Sequence, residues 1–413
     1  MSMDYLIVDN SAAIRKMLEH MLQQAQVPVS TVSEASDGVE ALAFLKRKTV
    51  NVIFSGIDMP NMDGLQLLTE LKSNSARKSV PVIMIASESG QAKVREAAKL
   101  GASGCLMKPF TLAQIKEKIV GSITGKIDTS MAAEAVTSEP RCPWALRALP
   151  PAPSVLLTIM SILRESDDDD AAKKGIDCIQ ADPAFAAEVL RVANLALVSS
   201  HQETTSIDRA VVAMSLNLVL AHALTVGMLP YLGTSLRAPA LRTCWTHSLA
   251  TALLAKELAV FCRTGSGEAY TAGLFHNIGQ VALAICYPAQ YADMLSISEK
   301  HRFDMLQCER DLFDLDHCQA GAWIAGQWGL VPDIASAAEH HHEEPAPEKV
   351  TAPTLAALGC RLAEALGFSV TAPRNAWTLE QVRSNLPESA QNRFRTDAKT
   401  LKASVARQIE QIA

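Results

Sequence analysis

Leu274-Phe275-His276-Asn277-Ile278-Gly279-Gln280 lies in an apolar, helix-patterned stretch and puts an imidazole directly before an amide. A His followed by a carboxylate is a good divalent-cation site, because the ring supplies a nitrogen and the carboxylate a full negative charge. Asn277 offers a neutral oxygen instead. Outward from this stretch, residues 145–413 read as helical throughout. Leu149-Pro150-Pro151 leads into a helix from Ser154 to Glu165. Asp167–Asp170 reads as a turn and a helix start, where acidic groups suit the dipole. Asp182-Pro183 gives a cap and a first-turn proline, and Thr204-Thr205-Ser206 caps a long apolar helix. Further helices are expected around Trp245–Phe261, Glu268–Ala284, Cys318–Trp328, Pro332–His342 and Leu355–Leu366. At the end, Phe394, Ala398, Leu401, Val405, Ile409 and Ile412 recur at three- and four-residue steps. This seam is expected to pack back on the helical domain, with a dimer contact as the alternative.

Nine scattered cysteines without a C-x-x-C pair argue for a reducing compartment and against a disulfide framework. Met1-Ser2-Met3-Asp4 runs straight into a strand-like segment, so no signal peptide is expected and the location is read as cytoplasmic. Ala210 to Leu236 carries no charge over 27 residues, long enough for a membrane span. Asn217, His222, Gly227, Pro230 and Gly233 interrupt it, and a buried core helix followed by a turn is the expectation. Residues 1–120 hold 14 Lys/Arg against 12 Asp/Glu, a balance of +2, which leaves −8 of the total −6 for the remainder. Neither part has the basic excess that phosphate-backbone binding needs, so nucleic acid is not expected as a partner.

The first 120 residues alternate short β-type runs with amphipathic helices. Strands are expected at Tyr5–Val8, Val52–Ser55, Val82–Ile85 and Cys105–Met107, with a weaker one near Val32–Ala35. Helices are expected at Ser11–Gln24, Gly38–Arg47, Leu65–Lys72, Gln91–Leu100 and Leu112–Val120. This alternation indicates a doubly wound, five-stranded parallel sheet covered on both faces. Its working crevice lies at the carboxyl ends of the strands.

The residues at those ends are Leu6-Ile7-Val8-Asp9-Asn10-Ser11, Asp58-Met59-Pro60-Asn61-Met62-Asp63-Gly64, Pro81–Ser87, Gly101-Ala102-Ser103-Gly104 and Lys108-Pro109-Phe110. In that order they resemble a response-regulator receiver domain, with a flavodoxin-like fold and, by resemblance, a cis proline at 109. The resemblance implies a phosphoacceptor Asp, a Mg²⁺ held by neighbouring carboxylates, and a hydroxyl and a Lys on the phosphoryl oxygens. Here the phosphoacceptor position is Gly56, the acidic pair is Asp9-Asn10, and the hydroxyl position is Ala86 with Ser87 one place late. Asp9 and Lys108 remain as the family has them. Asp58 and Ser55 stand nearby, Asp58 two residues beyond Gly56 and Ser55 just before it. We therefore expect a pseudo-receiver that is not phosphorylated in the usual way and serves for docking or dimerisation.

In the helical part, Leu149-Pro150-Pro151, Ile179–Pro183, Leu190-Arg191-Val192-Ala193-Asn194, Trp245-Thr246-His247-Ser248, Ala272–Gly279, Asp316-His317, Trp328-Gly329-Leu330 and His341-His342-Glu343 resemble in combination the HDOD family. That family is the divergent, mostly non-catalytic branch of the HD phosphohydrolase superfamily. An active HD site needs a His, a His-Asp pair and a later Asp around one or two metals. By position these are His247, His276 with Asn277, and Cys360. Two imidazoles, an amide and a thiol suit a hard metal poorly. A thiolate suits zinc, so His247, His276 and Cys360 stay open as a soft site. His340-His341-His342 is expected to be a solvated helix end, since adjacent helical residues point in different directions.

The expected organisation is a receiver-like domain at 1–122, a linker at 123–147, an HDOD core at 148–345 and a helical extension at 346–413. The expected function is a bacterial-type, cytosolic, non-catalytic signalling adaptor. It would work on other signalling proteins, with a homodimer possible in kind, no membrane insertion, and no cofactor or metal. The alternatives are a metal-dependent phosphohydrolase acting on a nucleotide or cyclic dinucleotide, and a phosphorylation-switched response regulator.

Overall fold

In the computed structural model, residues 2–124, 142–164, 169–196, 204–345, 350–373 and 375–412 are described. The expected helical turn at Met131–Val136 in the linker, and the side chains of Asp167–Asp170, lie outside the described residues.

Strands β1 (Met3–Val8), β2 (Val29–Ala35), β3 (Val52–Gly56), β4 (Val82–Ala86) and β5 (Gly104–Met107) form one sheet in the order β2-β1-β3-β4-β5. Every pairing is parallel. Helices α1 (Ala12–Gln24), α2 (Gly38–Leu45), α3 (Gly64–Ser73), α4 (Gln91–Lys99) and α5 (Leu112–Thr124) alternate with the strands. The central strands β3 and β4 are buried at every position, as continuous apolar runs between two helical layers must be. The helix starts are fixed locally. Ser11 accepts from the Ile14 amide, Asp37 from the Glu40 amide, and Asp63 forms a reciprocal capping box with Gln66. The strand order reverses between β1 and β3, which opens the crevice at their carboxyl ends. Asp9, Gly56, Ala86 and Lys108 all fall at strand ends, and the Lys108–Pro109 peptide is cis.

The helices that follow are α6 (Ser154–Arg164), α7 (Asp169–Gln180), α8 (Pro183–Ala196), α9 (Ile207–Met214), α10 (Leu216–Leu232), α11 (Pro239–Cys262), α12 (Ser266–Phe275), α13 (Ile278–Cys286), α14 (Pro288–His301), α15 (Met305–Phe313), α16 (His317–Gln327), α17 (Pro332–His340), α18 (Ala352–Ala365), α19 (Leu379–Ser384), α20 (Glu388–Gln391) and α21 (Ala398–Ile412). Contacts divide the chain into two compact units, residues 1–147 with 289–316, and residues 148–288 with 317–413.

Three helices depart from the sequence expectation. The apolar run from Ala210 is two helices, because Ser215 takes φ +82° and stops α9. Leu216–Arg237 is long and apolar enough to cross a membrane by length and composition, and 61% of its window is buried within the protein. Every residue from Leu218 to Met228 is buried, so α10 is apolar all round because it is enclosed all round. The single helix expected over Glu268–Ala284 is broken, with His276 closing α12 and Asn277 (φ −111°, ψ 23°) opening α13. The helix expected to reach His342 ends at His340. In the terminal helix, Leu401, Val405, Ile409 and Ile412 are buried, and the Phe394 ring sits 5.0 Å from that of Phe261.

Candidate functional site

Small residues let the helices around the break approach one another at backbone distance. A Cβ on Gly279 would lie 2.0 Å from the His317 carbonyl oxygen and 2.6 Å from the Gly321 amide nitrogen, so α13 and α16 cross without an intervening side chain. Gly273 and Gly359 do the same against α11, at 2.8 Å from Ala252 Cα and 3.0 Å from the Ala255 amide nitrogen. Five histidines converge at these crossings.

His247, from the middle of α11, donates from Nδ1 to the Phe368 carbonyl at 2.8 Å. His276, at the end of α12, donates from Nδ1 to the Gly273 carbonyl at 2.7 Å. Their Nε2 atoms face each other at 3.2 Å, and Cys360 Sγ of α18 lies 3.5 Å from His247 Nε2. The structure therefore brings together His247, His276 and Cys360 from three helices. A second group contains His317, Cys318, His341 and His342. His317 Nε2 lies 3.3 Å from His341 Nε2 and 2.9 Å from His342 Nε2, while His341 Nδ1 faces the Ala337 and Ala338 carbonyls at 3.1 and 3.2 Å. The two groups adjoin, with the His276 and His341 rings edge to face at 4.8 Å.

The expectation of a solvated triple histidine is corrected for two of its members. His341 is 2% exposed and His342 is half-buried, and only His340 is exposed, beside Glu343. α17 stops at His340, and beyond it the His341 and His342 rings both reach His317. Pro345 shortly downstream was the available sign that the helix ends early.

Burial pushes His247 down to about 4, and holds His276 and His341 well below the usual imidazole range, with the neighbouring histidines adding to the effect. Burial raises the Cys360 thiol, and Glu364 adds to it. The cluster is thus a set of neutral donors. It does not fit a pair of hard cations, since neither Asn277 nor Cys360 supplies a carboxylate. Asn277 donates from Nδ2 to Gln280 Oε1, and its Oδ1 is buried with no partner among the described residues. The donor chemistry that remains, imidazole and thiol, fits a soft cation. A separate cavity of about 420 Å³ in the same unit is lined by Arg164, Asn217, Glu268 and Asp333 among others, and none of its lining residues belongs to the histidine cluster.

At the strand ends of the first unit, Asp9 is 2% exposed and accepts from the Ser11 amide at 2.8 Å. Burial raises its carboxyl above the usual range, opposed by the Lys108 ammonium. A Cβ on Gly56 would lie 2.7 Å from Asp9 Oδ2, so the Asp9 carboxylate stands where a side chain at 56 would begin. With its amide turned to satisfy both ends, Asn10 donates to Asp9 Oδ1 at 3.3 Å and to the Asp58 carbonyl at 3.2 Å. Asp58 itself is exposed and paired with Lys93. Ala86 is buried, and the Ser55 hydroxyl donates to the Gly56 carbonyl at 3.1 Å. Within this unit, Lys108 Nζ donates to the Asp311 carbonyl at 2.9 Å, and Ser11 Oγ donates to its carboxylate at 2.5 Å.

The parallel sheet with Asp9 and Lys108 at its carboxyl edge defines a signalling receiver fold, and the histidine-lined helical unit defines an HD-type fold. The chain belongs to the response-regulator receiver family over residues 5–120 and carries an HDOD domain over residues 149–344. It is 34% identical over 118 residues to the chemotaxis protein CheY-3 of Vibrio cholerae, a match covering 29% of this chain and 89% of that protein. It is 36% identical over 118 residues to the chemotaxis protein CheY1 of Helicobacter pylori, over 28% of this chain and 94% of the relative. Among solved structures, one from Shewanella amazonensis SB2B, described provisionally as a phosphohydrolase, covers 66% of this chain and 99% of its own at 22% identity and a TM-score of 0.48.

Proposed function

We infer from its receiver and HDOD domains that this chain is a signalling regulator. We propose that it is non-catalytic, that its receiver is not switched by phosphorylation at position 56, and that it acts in the cytoplasm by binding other signalling proteins. The observation that carries this reading is the 2.7 Å approach of Asp9 Oδ2 to a Cβ built on Gly56. That position lacks the nucleophile, and its space is taken by a buried carboxylate. The missing carboxylates at Asn277 and Cys360 support the same reading in the helical domain, because water activation on paired metals depends on them. On this reading both domains keep their folds to bind partners, a second copy of the chain among them.

The test uses the full chain. Incubation with a small phosphodonor and Mg²⁺ is expected to leave no acyl-phosphate, and generic phosphodiesters are expected to survive with Mn²⁺, Fe²⁺ or Zn²⁺ added. Labelling that disappears in Asp58→Asn would establish a phosphorylation-switched regulator instead. Turnover that disappears in His276→Ala would establish a phosphohydrolase.

A further inference from the structure

We propose that His247, His276 and Cys360 hold one soft divalent cation of the zinc class through two imidazole nitrogens and a thiolate. The carbonyls of Phe368 and Gly273 can only accept, so Nδ1 carries the hydrogen in both rings, at 2.8 and 2.7 Å. In these neutral tautomers each Nε2 presents a lone pair, and the two lone pairs face each other across 3.2 Å. No hydrogen bond can join them, and their contact is repulsive unless a cation lies between.

Two of the three ligand spacings match what such an ion requires, and all three ligand atoms lie within 4.8 Å of one another. With Zn–N near 2.05 Å and Zn–S near 2.3 Å, tetrahedral geometry separates two nitrogens by about 3.3 Å and a nitrogen from a sulfur by about 3.6 Å. The protein has 3.2 Å between the Nε2 atoms and 3.5 Å from His247 Nε2 to Cys360 Sγ. All three side chains are buried, and both rings are held by backbone carbonyls, the usual way in which a ligating histidine is aimed. Cys360, in place of a carboxylate, selects against Mg²⁺ and Mn²⁺. The ion would tie α11, the end of α12 and α18 together. Binding forms the metal–sulfur bond, breaks the S–H bond and releases that proton to solvent. The proposal departs from the sequence expectation of a pocket without metal, and it stands whether or not the domain is catalytic.

Full-length protein carrying no histidine tag is stripped with a chelator and titrated with Co²⁺. The expected result is a thiolate-to-cobalt charge-transfer band that Cys360→Ser abolishes and Cys318→Ser retains, with circular dichroism confirming the fold of each variant. A wild type without the band overturns the proposal, as does a band lost in Cys318→Ser and kept in Cys360→Ser. Should Cys360→Ser not fold, the wild type alone decides the matter through proton release. Zinc added in weak buffer at about pH 7 should liberate about one proton per ion from the thiol, the imidazoles being neutral already. Zinc uptake with no proton released overturns it.

Discussion

His276 Nε2 meets His247 Nε2 at 3.2 Å because a helix breaks at the right residue: α12 ends on His276 and Asn277 starts α13. His276 keeps helical backbone angles (φ −51°, ψ −33°), and the Gly273 carbonyl three residues back aims its ring.

Gly279→Ala tests that geometry. The new methyl would fall 2.0 Å from the His317 carbonyl, where only backbone movement makes room. Urea denaturation should show a loss of about 1–3 kcal/mol, the usual cost of overpacking. Gly326→Ala is the control in α16, with nothing within 4 Å of its Cβ, and should gain about 0.5–1 kcal/mol from helix propensity.

Restoring the phosphoacceptor alone should harm the receiver. Gly56→Asp sets a second carboxylate against Asp9, which burial already disfavours as an anion. A loss of about 1–3 kcal/mol at neutral pH is expected for an unpaired buried charge. Gly56→Asp combined with Asn10→Asp should recover stability when Mg²⁺ is added and accept a phosphoryl group from acetyl phosphate, read by intact mass.

Beryllofluoride with Mg²⁺ mimics a phosphoryl group only where an aspartate can receive it. With glycine at 56, amide spectra of the wild-type chain should be unchanged by the mixture. Those of the Gly56→Asp, Asn10→Asp double variant should shift.

His222 provides a pH-dependent signature away from the cluster. It is 1% exposed, neither ring nitrogen has a partner among the described residues, and the ring stands edge-on to Tyr270. Burial, with a smaller contribution from Lys256, holds it down at about 3. The unfolded chain therefore takes the proton first, and stability is full above the ordinary imidazole range and falls as pH drops from about 6.5 toward 3. His222→Leu should flatten that slope by about 1.4 kcal/mol per pH unit. Urea midpoints at about pH 7 and about pH 5 measure it, and an equal slope in both proteins would contradict the assignment.

The receiver half was legible because its signals are local. Apolar strand runs and strand-end motifs each lie within a few residues, and β3, β4 and α3 stand within one residue of expectation at each end. In the helical half, periodicity found many of the helices but did not single out α14, α15, α19 or α20, and it missed the breaks at Ser215 and Asn277 and the stop after His340. Tertiary contacts impose those breaks, and an apolar pattern runs through them unchanged. Position in the HDOD pattern brought out His247, His276 and Cys360. His317, Cys318, His341 and His342 stayed hidden as a group because their meeting depends on the close approach of α13 and α16 and on where α17 ends.

At the Gly279–Gly321 crossing, main chain touches main chain. Spacers made of side chains drift whenever a core residue is exchanged for a larger or smaller one. A spacer made of peptide groups has a fixed gauge. The surrounding apolar core can therefore vary widely in composition, altering how firmly the domain holds together, while the distance between its two histidine groups stays where the backbone puts it.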